Sequence, residues 1–360
     1  MKRVVKVAAT LLVMALLVVG TVIGFLTVDE YMPNDIETLE VDGDAADRIK
    51  KGESVKLLSW NLGYGALGDN ADFFMDGGKM VYTADKERVL SNLEGDIEEF
   101  IKISPDIICT QETDRNSDRS YFVDEAEFFM SNAGLSVLNG ESVFAPNLKV
   151  AFIPLPVPPI GKVLSGLMVF SRYDISSAQR LKLPCPFKWP LRTFNLKRCL
   201  EVVRLPVEGS DKELVIINLH LEAYDQGEGK IAQAKMLKEV LDAEIEKGNY
   251  VIASGDYNQV FSNTDISAYP VLEGMWEAGR IDVEDFNKDL TFYTDSSVPT
   301  CRSLDRALDA APSRSPQDFQ YYVIDGFITS SNVEVESVHT EDLSFVTSDH
   351  NPVILEFKLK

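Results

Sequence analysis

The sequence predicts an α/β fold in which two β-sheets pack face to face and the helices lie outside them. Short runs rich in Val, Ile and Leu, typical of buried strands, outnumber the amphipathic segments typical of helices. Several of these runs follow one another with no helix between them, which argues against a doubly wound parallel sheet. The chain has 360 residues, 45% of them hydrophobic, so it can bury a large core in one large domain or two small ones.

An apolar run from Val7 to Val28 opens the sequence, directly behind the basic segment 2–6. As a helix, this run would be about 33 Å long, enough to cross the hydrocarbon core of a bilayer. It is longer than the apolar part of a cleaved signal peptide, and no convincing small-x-small cleavage site follows it. We therefore predict an uncleaved signal anchor over residues 1–28, with a cleaved signal peptide as the alternative. Because the basic flank stays inside, the rest of the protein would be extracellular, on a single-pass plasma-membrane anchor.

The remaining chain divides into a tether and a folded domain. Residues 29–54 are polar and acidic, which predicts a loosely ordered tether, and the catalytic domain is predicted over residues 55–360. Two segments carry apolar residues at helical spacing, namely 83–104, with Thr83 as its N-cap, and 227–249. Buried strands are predicted at 55–62, 105–112, 166–173, 199–207, 213–221, 250–258, 321–328 and 352–359.

Charge and cysteine usage argue against some functions. The formal net charge of −22 repels polyanions, which argues against a protein that coats nucleic acid non-specifically. It does not exclude an enzyme that reaches phosphate through a metal ion. The cysteines show no CxxC spacing, so a zinc site is not expected. Cys185 and Cys199 could form a disulfide outside the cell, but the sequence does not show whether their Cα atoms approach each other.

Polar side chains occur at the ends of most of the predicted strands. A buried polar group without a partner costs about 1–3 kcal/mol, so we expect these groups to gather in one site with a metal and a ligand. Asp325 is the most informative of them, because a charge inside a Val-Ile-Phe run needs a partner. The set comprises Asn61, Gln111, Glu112, Asn218, His220, Asp256, Asn258, Asp325, Asp349 and His350.

The motifs that hold these residues resemble those of the endonuclease/exonuclease/phosphatase superfamily. They are "SWN", "QE", "NLHL", "GDYN", "VIDGFI" and "SDHNPV", in this order, and the resemblance covers about residues 55–360. The superfamily includes pancreatic-type deoxyribonucleases, neutral sphingomyelinases and inositol polyphosphate 5-phosphatases. The resemblance implies a four-layer α/β/β/α sandwich of two mixed sheets. It also implies hydrolysis of phosphoester bonds with Mg²⁺, with Mn²⁺ as a second candidate ion.

By this resemblance, Glu112 is the main metal ligand, supported by Asn61, and Asp349 is a second carboxylate on the metal side. Hard oxygen ligands of this kind suit Mg²⁺, which keeps several waters and needs only one or two carboxylates. The chain departs from some apurinic endonucleases, which carry an Asp two residues after the first Asn. Gly63 occupies that position here, which leaves the number of metal ions open.

The resemblance also assigns the catalytic residues. His350 matches the histidine at the scissile phosphate, and Asp325 matches the carboxylate that orients its imidazole. Asp256 matches the residue that orients or deprotonates the attacking water. Three further residues match positions that contact the phosphate, and the match of the last is looser: His220, Asn258 and Arg198.

The motifs leave three functions open. The first is an anchored phosphodiesterase acting outside the cell on a lipid headgroup or another small phosphoester; the second is an extracellular endonuclease. The third is a binding protein that keeps the fold without catalysis, which is disfavoured because every main catalytic position is filled. By the same resemblance, segment 144–162 corresponds to a loop on the substrate side, which is polar and basic in the family's nucleases but apolar and Pro-rich here. It suits acyl chains or a membrane surface better than phosphate backbones, unless it is an ordinary packed loop. Nucleic acid is thus a less favoured partner, and the oligomeric state is not indicated.

Overall fold

The computed structural model describes residues 2–131, 134–225 and 227–360. Its helices are α1 (Lys2–Asp29), α2 (Lys86–Ile103), α3 (Glu125–Met130) and α4 (Glu228–Glu246). Its strands are β1 (Ile36–Thr38), β2 (Val41–Gly43), β3 (Val55–Asn61), β4 (Ile107–Asp114), β5 (Glu141–Ile153), β6 (Gly161–Ser171), β7 (Ser177–Lys182), β8 (Cys199–Pro206), β9 (Glu213–His220), β10 (Tyr250–Asp256), β11 (Gln259–Phe261), β12 (Gly279–Ile281), β13 (Leu290–Tyr293), β14 (Cys301–Arg302), β15 (Tyr321–Tyr322), β16 (Asp325–Ser330), β17 (Val333–Thr340) and β18 (Val353–Leu359).

Most of these strands form two large mixed sheets. The first sheet has the order β1-β7-β8-β9-β10-β16-β13, and the second has the order β17-β18-β3-β4-β6-β5-β2. The pairs β9–β10 and β3–β4 are parallel. Their immediate neighbours in the sheets are antiparallel. Parallel strands thus lie at the centre of each sheet, where their carboxyl ends reach the same edge.

The sheets pack face to face and the helices cover their outer surfaces. Apolar side chains such as Leu57 of the second sheet and Ile216 of the first belong to the core between the sheets. Phe100 of α2 and Phe129 of α3 pack on the outer face of the second sheet. Leu237 of α4 packs on the outer face of the first. The predicted α/β class and four-layer sandwich are therefore confirmed.

The segment predicted as a loose tether is partly built into the fold. Ile36–Thr38 pairs with β7 in the first sheet, and Val41–Gly43 pairs with β5 in the second. Ile49 is fully buried in the core between the sheets. The segment 29–54 is acidic on average, so its composition does not indicate that these few apolar residues are ordered. Each of them is nevertheless enough to fix a short edge strand or a core contact.

Helix α1 runs directly into the domain. It is long and apolar enough to cross a membrane, a property that a signal sequence shares. Leu26, near its end, is buried against Leu148, Ile153 and Val163 of the hairpin that β5 and β6 form. The end of α1 therefore has a fixed position on the domain surface.

Segment 144–162 is a hairpin and not the loop that its prolines predicted. β5 continues to Ile153, β6 begins at Gly161, and only residues 154–160 connect them. The register of the pair shifts between Pro146 and Leu148, so a bulge accommodates the proline that cannot donate to the ladder.

Three smaller expectations also change. Asp85 caps α2, because its carboxylate accepts from the Arg88 N–H, whereas Thr83 is buried before the helix starts. The predicted strand 321–328 is two strands, β15 and β16, which belong to different sheets. All four cysteines are free thiols, so the disulfide between Cys185 and Cys199 is not formed.

One buried carboxyl gives a stability prediction. Asp96 of α2 is fully buried, and this burial raises its pKa to about 8, an effect that the nearby Thr347 side chain offsets only in part. Its pKa in the unfolded chain is about 3.9, so folding favours the neutral form and stability is lost as pH rises from about 4 to about 8. We expect Asp96→Asn to raise the free energy of unfolding by a few kcal/mol at pH 8 and by much less at pH 5. Urea unfolding of both proteins at the two pH values measures the difference; an equal effect at both would contradict it.

Candidate active site

The register of the first sheet places three of the predicted site residues side by side. The parallel pairing of β9 and β10 aligns His220 with Asp256. The antiparallel pairing of β10 and β16 aligns Asp256 with Asp325. Residues far apart in the sequence therefore meet at one edge of this sheet.

The second sheet brings Asn61 and Glu112 to the same edge. β3 and β4 are parallel, and Asn61 lies opposite Gln111. The register of β4 then shifts between Thr110 and Thr113, and Glu112, inside this bulge, has a φ of 55°. A bulge redirects a side chain, and a positive φ at a residue other than Gly is strained and typical of functional sites. As a result, Asn61 Nδ2 lies 3.4 Å from Glu112 Oε1.

The loop before β18 completes the cluster. Because β18 runs antiparallel to β3 and begins at Val353, the loop residues just before it lie beside the carboxyl end of β3. The Ser348 hydroxyl donates to the Asn61 carbonyl over 2.7 Å, and Trp60 Nε1 donates to the His350 carbonyl over 2.8 Å. These two bonds fix the loop that carries Asp349 and His350.

The two histidines of the cluster have opposite protonation preferences. His350 Nδ1 lies 2.9 Å from Asp325 Oδ2, and both side chains are buried. Burial alone would lower the pKa of His350, but the Asp325 carboxylate holds it well above its usual value. Burial and the positive charges of Arg198 and His350 hold the pKa of His220 well below its usual value. Environments that push two pKa values apart in this way assign different proton-transfer roles to the two groups.

Asp256 lies between the two imidazoles and is 1% exposed. Its Oδ2 accepts from Asn61 Nδ2 and from Asn258 Nδ2, each over 3.2 Å. The same oxygen lies 3.4 Å from His220 Nε2 and 3.8 Å from His350 Nε2. Burial raises the pKa of Asp256 to about 7. A carboxyl group with a pKa near neutrality is suited to take up or release a proton during a reaction.

The remaining carboxylates fit a divalent cation. Burial raises the pKa of Asp349 and of Asp76 to about 6, and the charge of Glu112 contributes to both shifts. The described residues place no Lys or Arg in an ion pair with these three groups; only His220 approaches Glu112, at 3.9 Å. A divalent cation would relieve this repulsion, and carboxylate oxygens are the ligands that Mg²⁺ and Mn²⁺ prefer.

The three predicted metal ligands, Asn61, Glu112 and Asp349, differ in how many other potential ligands lie close to them. Within the described residues, two groups have ligating atoms within 4.8 Å of one another: Cys301, Asp349 and His350, and Asp256, Asp325 and His350. Asp349 thus has other donors close by, whereas Glu112 stands outside both groups.

Asn61 and Gly63 have defined places beside Glu112. The Asn61 oxygen accepts from the Gly63 N–H over 3.1 Å, so its amide group faces Glu112 as a donor. Gly63 has a φ of 53°, and a Cβ there would lie 2.7 Å from Leu67 Cβ and 3.0 Å from Asp349 Oδ1. An Asp at this position would be strained and crowded in this backbone.

The three predicted phosphate contacts all line the same cavity. Arg198 is 3% exposed and bonds the His220 carbonyl over 3.0 Å, while its Nε lies 3.3 Å from Glu222 Oε2. It is therefore a buried residue of the site and not a surface residue. Asn258, with a φ of 51°, bonds Asp256 through both its backbone and its side-chain amide. His220 Nδ1 is buried and has no hydrogen-bond partner among the described residues.

Sequence reasoning missed several residues that line the cavity with this cluster. The Tyr224 hydroxyl donates to Asp76 Oδ1 over 2.8 Å. The Arg119 guanidinium lies 3.7 Å from the centre of the Tyr64 ring. Arg302 donates to the Gly68 carbonyl over 2.6 Å. Most of these residues lie outside the strands whose ends marked the other site residues, so no pattern in the sequence distinguishes them.

The cluster lines a cavity of about 620 Å³. The rest of the wall is largely apolar and comes from the β5–β6 hairpin, from residues 194–196 and from loops of the first sheet. Its larger side chains include Leu148, Ile153, Leu155, Phe194, Met275 and Trp276. The cavity therefore combines an acidic, polar cluster with a largely apolar wall.

Comparison with solved structures shows the same fold at low sequence identity. An endonuclease/exonuclease/phosphatase from Beutenbergia cavernae has a TM-score of 0.53 and 17% identity, over 85% of this chain and 72% of that one. A family protein from Leptotrichia buccalis has a TM-score of 0.53 and 12% identity, over 85% of this chain and 100% of the other. Truncated TDP2 from Caenorhabditis elegans has a TM-score of 0.50 and 13% identity, over 86% and 98%.

A comparison with curated protein sequences found no match. The pattern of the Endonuclease/Exonuclease/phosphatase family, in contrast, matches residues 58–350. This range is most of the chain and includes every residue of the cluster described above. Members of the family are generally hydrolases of phosphoesters and depend on a divalent metal. The chain therefore belongs to the endonuclease/exonuclease/phosphatase family.

Proposed function

We propose that this protein is a Mg²⁺-dependent phosphodiesterase that cleaves the headgroup of a membrane lipid outside the cell. The observation that carries the proposal is that one cavity is lined both by the polar cluster and by a largely apolar wall. A phosphoester at the polar cluster would leave the acyl chains of the same molecule against the apolar wall. Burial of those chains would supply binding free energy at about 25 cal/mol per Å².

The cluster residues take separate roles in this proposal. His350, held by Asp325 and positively charged, donates to the phosphoryl oxygens, on which negative charge develops. Asp256, with a pKa near neutrality, orients the attacking water and accepts its proton. His220 and Asn258 contact the phosphate, and the free Nδ1 of His220 is the nitrogen available for that bond.

Glu112 and Asp349 are the residues that would hold the divalent ion, Mg²⁺ or Mn²⁺. When bound, the ion polarises the phosphoryl oxygen and stabilises the charge on the leaving oxygen. Asn61 positions Glu112 through its amide, and Arg198 supports His220 through the carbonyl bond.

The charges in the cavity favour a lipid over a nucleic acid. Apart from His350, which this proposal places at the scissile phosphate, the cationic side chains among the described lining residues are Arg119, Arg198 and Arg302. Each is already engaged, with Asp114, with Glu222 and with main-chain carbonyls, respectively. Nucleic-acid binding rests on cations that neutralise backbone phosphates, and these three have little capacity left for that.

The contacts of α1 favour an anchor that is retained. Trp189 donates a hydrogen bond to Thr27, and the Ala151 N–H donates to the Asp29 carboxylate. Arg192 forms an ion pair with Glu30, the residue that follows α1. Cleavage of a signal peptide near residue 28 would remove or loosen these contacts and expose the buried face around Leu148. We therefore propose a single-pass protein of the plasma membrane with its catalytic domain outside.

A hydrolysis screen of the full-length protein in detergent with Mg²⁺ tests the proposed substrate class. It compares sphingomyelin and phosphatidylcholine with plasmid DNA, RNA, inositol phosphates and a bis-aryl phosphodiester. We expect release of a headgroup from at least one lipid, slow cleavage of the bis-aryl compound and intact DNA and RNA. Rapid nicking of plasmid DNA with no lipid cleavage would replace the proposal by an extracellular endonuclease. No hydrolysis of any compound would favour a binding protein.

A further inference from the structure

Two neighbouring surface segments expose large apolar side chains beside the end of α1. The tip of the β5–β6 hairpin exposes 64% of Leu155 and 85% of Val157, and Phe152 just before it is 41% exposed. The segment before Phe194 exposes 56% of Trp189 and 54% of Leu191. We call these five residues the apolar rim. Exposed apolar side chains concentrated in this way mark an interaction surface more often than scattered single ones do.

The apolar rim is attached to the last turns of α1. Val22 and Leu26 belong to one apolar cluster with Ile153, Ile160 and Phe194, which lie in or beside the two rim segments. Because α1 is apolar up to Val28, the contacts to Val22 lie about 9 Å below the end of the apolar helix. Interfacial protein segments bury their apolar faces to a depth of about 5–10 Å. The helix thus places the rim at the depth of the lipid surface.

Polar bonds fix the rim relative to the helix. Trp189 Nε1 donates to Thr27 Oγ1 over 3.0 Å, and the Ala151 N–H donates to Asp29 Oδ2 over 2.9 Å. Arg192 forms an ion pair with Glu30 at 2.8 Å. A Trp that bonds the end of a membrane helix is typical of the interface between headgroups and acyl chains. The domain therefore has one fixed orientation towards the membrane.

We propose that the apolar rim inserts into the leaflet on the domain's side of the membrane and is a second membrane contact beside α1. Leu155 belongs both to the rim and to the wall of the catalytic cavity. The rim therefore borders the catalytic cavity, and in this proposal the cavity lies beside the lipid surface. This inference rests on the retained anchor proposed above but not on the identity of the substrate.

A fluorescent probe on the rim tests this contact in the full-length protein. The environment-sensitive dye NBD is attached at Val157→Cys, and Cys185, the one partly exposed native cysteine, is changed to Ser. The matched control is Ser331→Cys, which is exposed just after β16, at the end of that strand opposite Asp325. Both proteins are reconstituted into phosphatidylcholine vesicles, with and without brominated acyl chains, and flotation of the vesicles reports insertion of α1.

We expect the probe at 157 to emit at shorter wavelength than the probe at 331 and to lose much of its intensity with brominated lipid. The probe at 331 should be unaffected by bromine and open to quenching by iodide. Equal iodide quenching at both sites in floated vesicles would overturn the proposal, as would a failure of the protein to float. A blue-shifted probe at 157 without bromine quenching would also overturn it, because protein and not lipid would then cover the rim. None of these readings depends on hydrolysis, so they remain separate from the outcome of the substrate screen.

Discussion

Glu112→Gln lowers the hydrolysis rate at limiting Mg²⁺ by a factor on the order of 10³ or more, because the metal contributes several kcal/mol to the transition state. The substitution keeps the shape of the side chain and the Asn61 contact but removes the charge that the ion needs. It also removes the negative charge that contributes to the raised pKa values of Asp349 and Asp76. The measurement is the rate as a function of Mg²⁺ concentration, for the parent protein and for the variant.

Glu94→Gln is the matched control, because it makes the same change of charge on the exposed face of α2. It should leave both the rate and its Mg²⁺ dependence unchanged. If Glu112→Gln kept full activity at low Mg²⁺, Glu112 would not be the main metal ligand. The close group of Asp349, His350 and Cys301 would then be the better candidate for the metal site.

We expect His350→Ala to lower the rate by about 10³, the upper part of the range for the loss of one donor to a developing negative charge. Asp325→Asn should lose less, about 10²-fold, since an amide can still bond His350 Nδ1 but no longer favours the charged imidazole. The two side chains form one buried pair at 2.9 Å. Residues that act as a unit are strongly non-additive, so the double variant should be scarcely slower than His350→Ala alone.

Folding is the control for this cycle, because Asp325 is buried at the start of a core strand. Circular dichroism and a melting curve of each variant separate loss of function from loss of structure. Losses that add in the double variant would show that the two residues act independently. A folded Asp325→Asn protein with the parent rate would refute the pairing.

The sequence predicts the centre of the first sheet and the gathering of polar side chains at its edge, for a physical reason. A run such as "VIINLH" is apolar because both faces of its strand are covered, and a polar residue that ends such a run needs partners. Asp256, His220 and Asp325 show this: each ends or begins a buried strand, and the register aligns them. The contact between His350 and Asp325 was inferred from the family's motifs, and the structure places the two side chains in contact.

The parts that the sequence did not reveal depend on long-range contacts. Asp76 and Tyr224 come from unrelated loops, and nothing near either residue indicates that they bond each other. Ile36 and Ile49 lie in acidic surroundings, yet edge pairing and core packing draw that segment into the fold. The prolines of 144–162 predicted a loop where the structure has a hairpin. The bulge that accommodates Pro146 forms only against the partner strand, so the local sequence does not indicate it.

The dependence of KM on acyl-chain length tests the central claim that one cavity binds both a phosphoester and the apolar part of the same molecule. Lipids with one headgroup and progressively longer chains are compared below their micelle concentrations, so that membrane binding plays no part. We predict that KM falls with each added methylene until the wall around Ile153 and Phe194 is covered. Full burial of one added methylene contributes at most about 0.8 kcal/mol to binding, which corresponds to a roughly fourfold fall in KM. A KM that stays the same from the chain-free headgroup ester to the longest soluble lipid would contradict a lipid-binding role for the apolar wall.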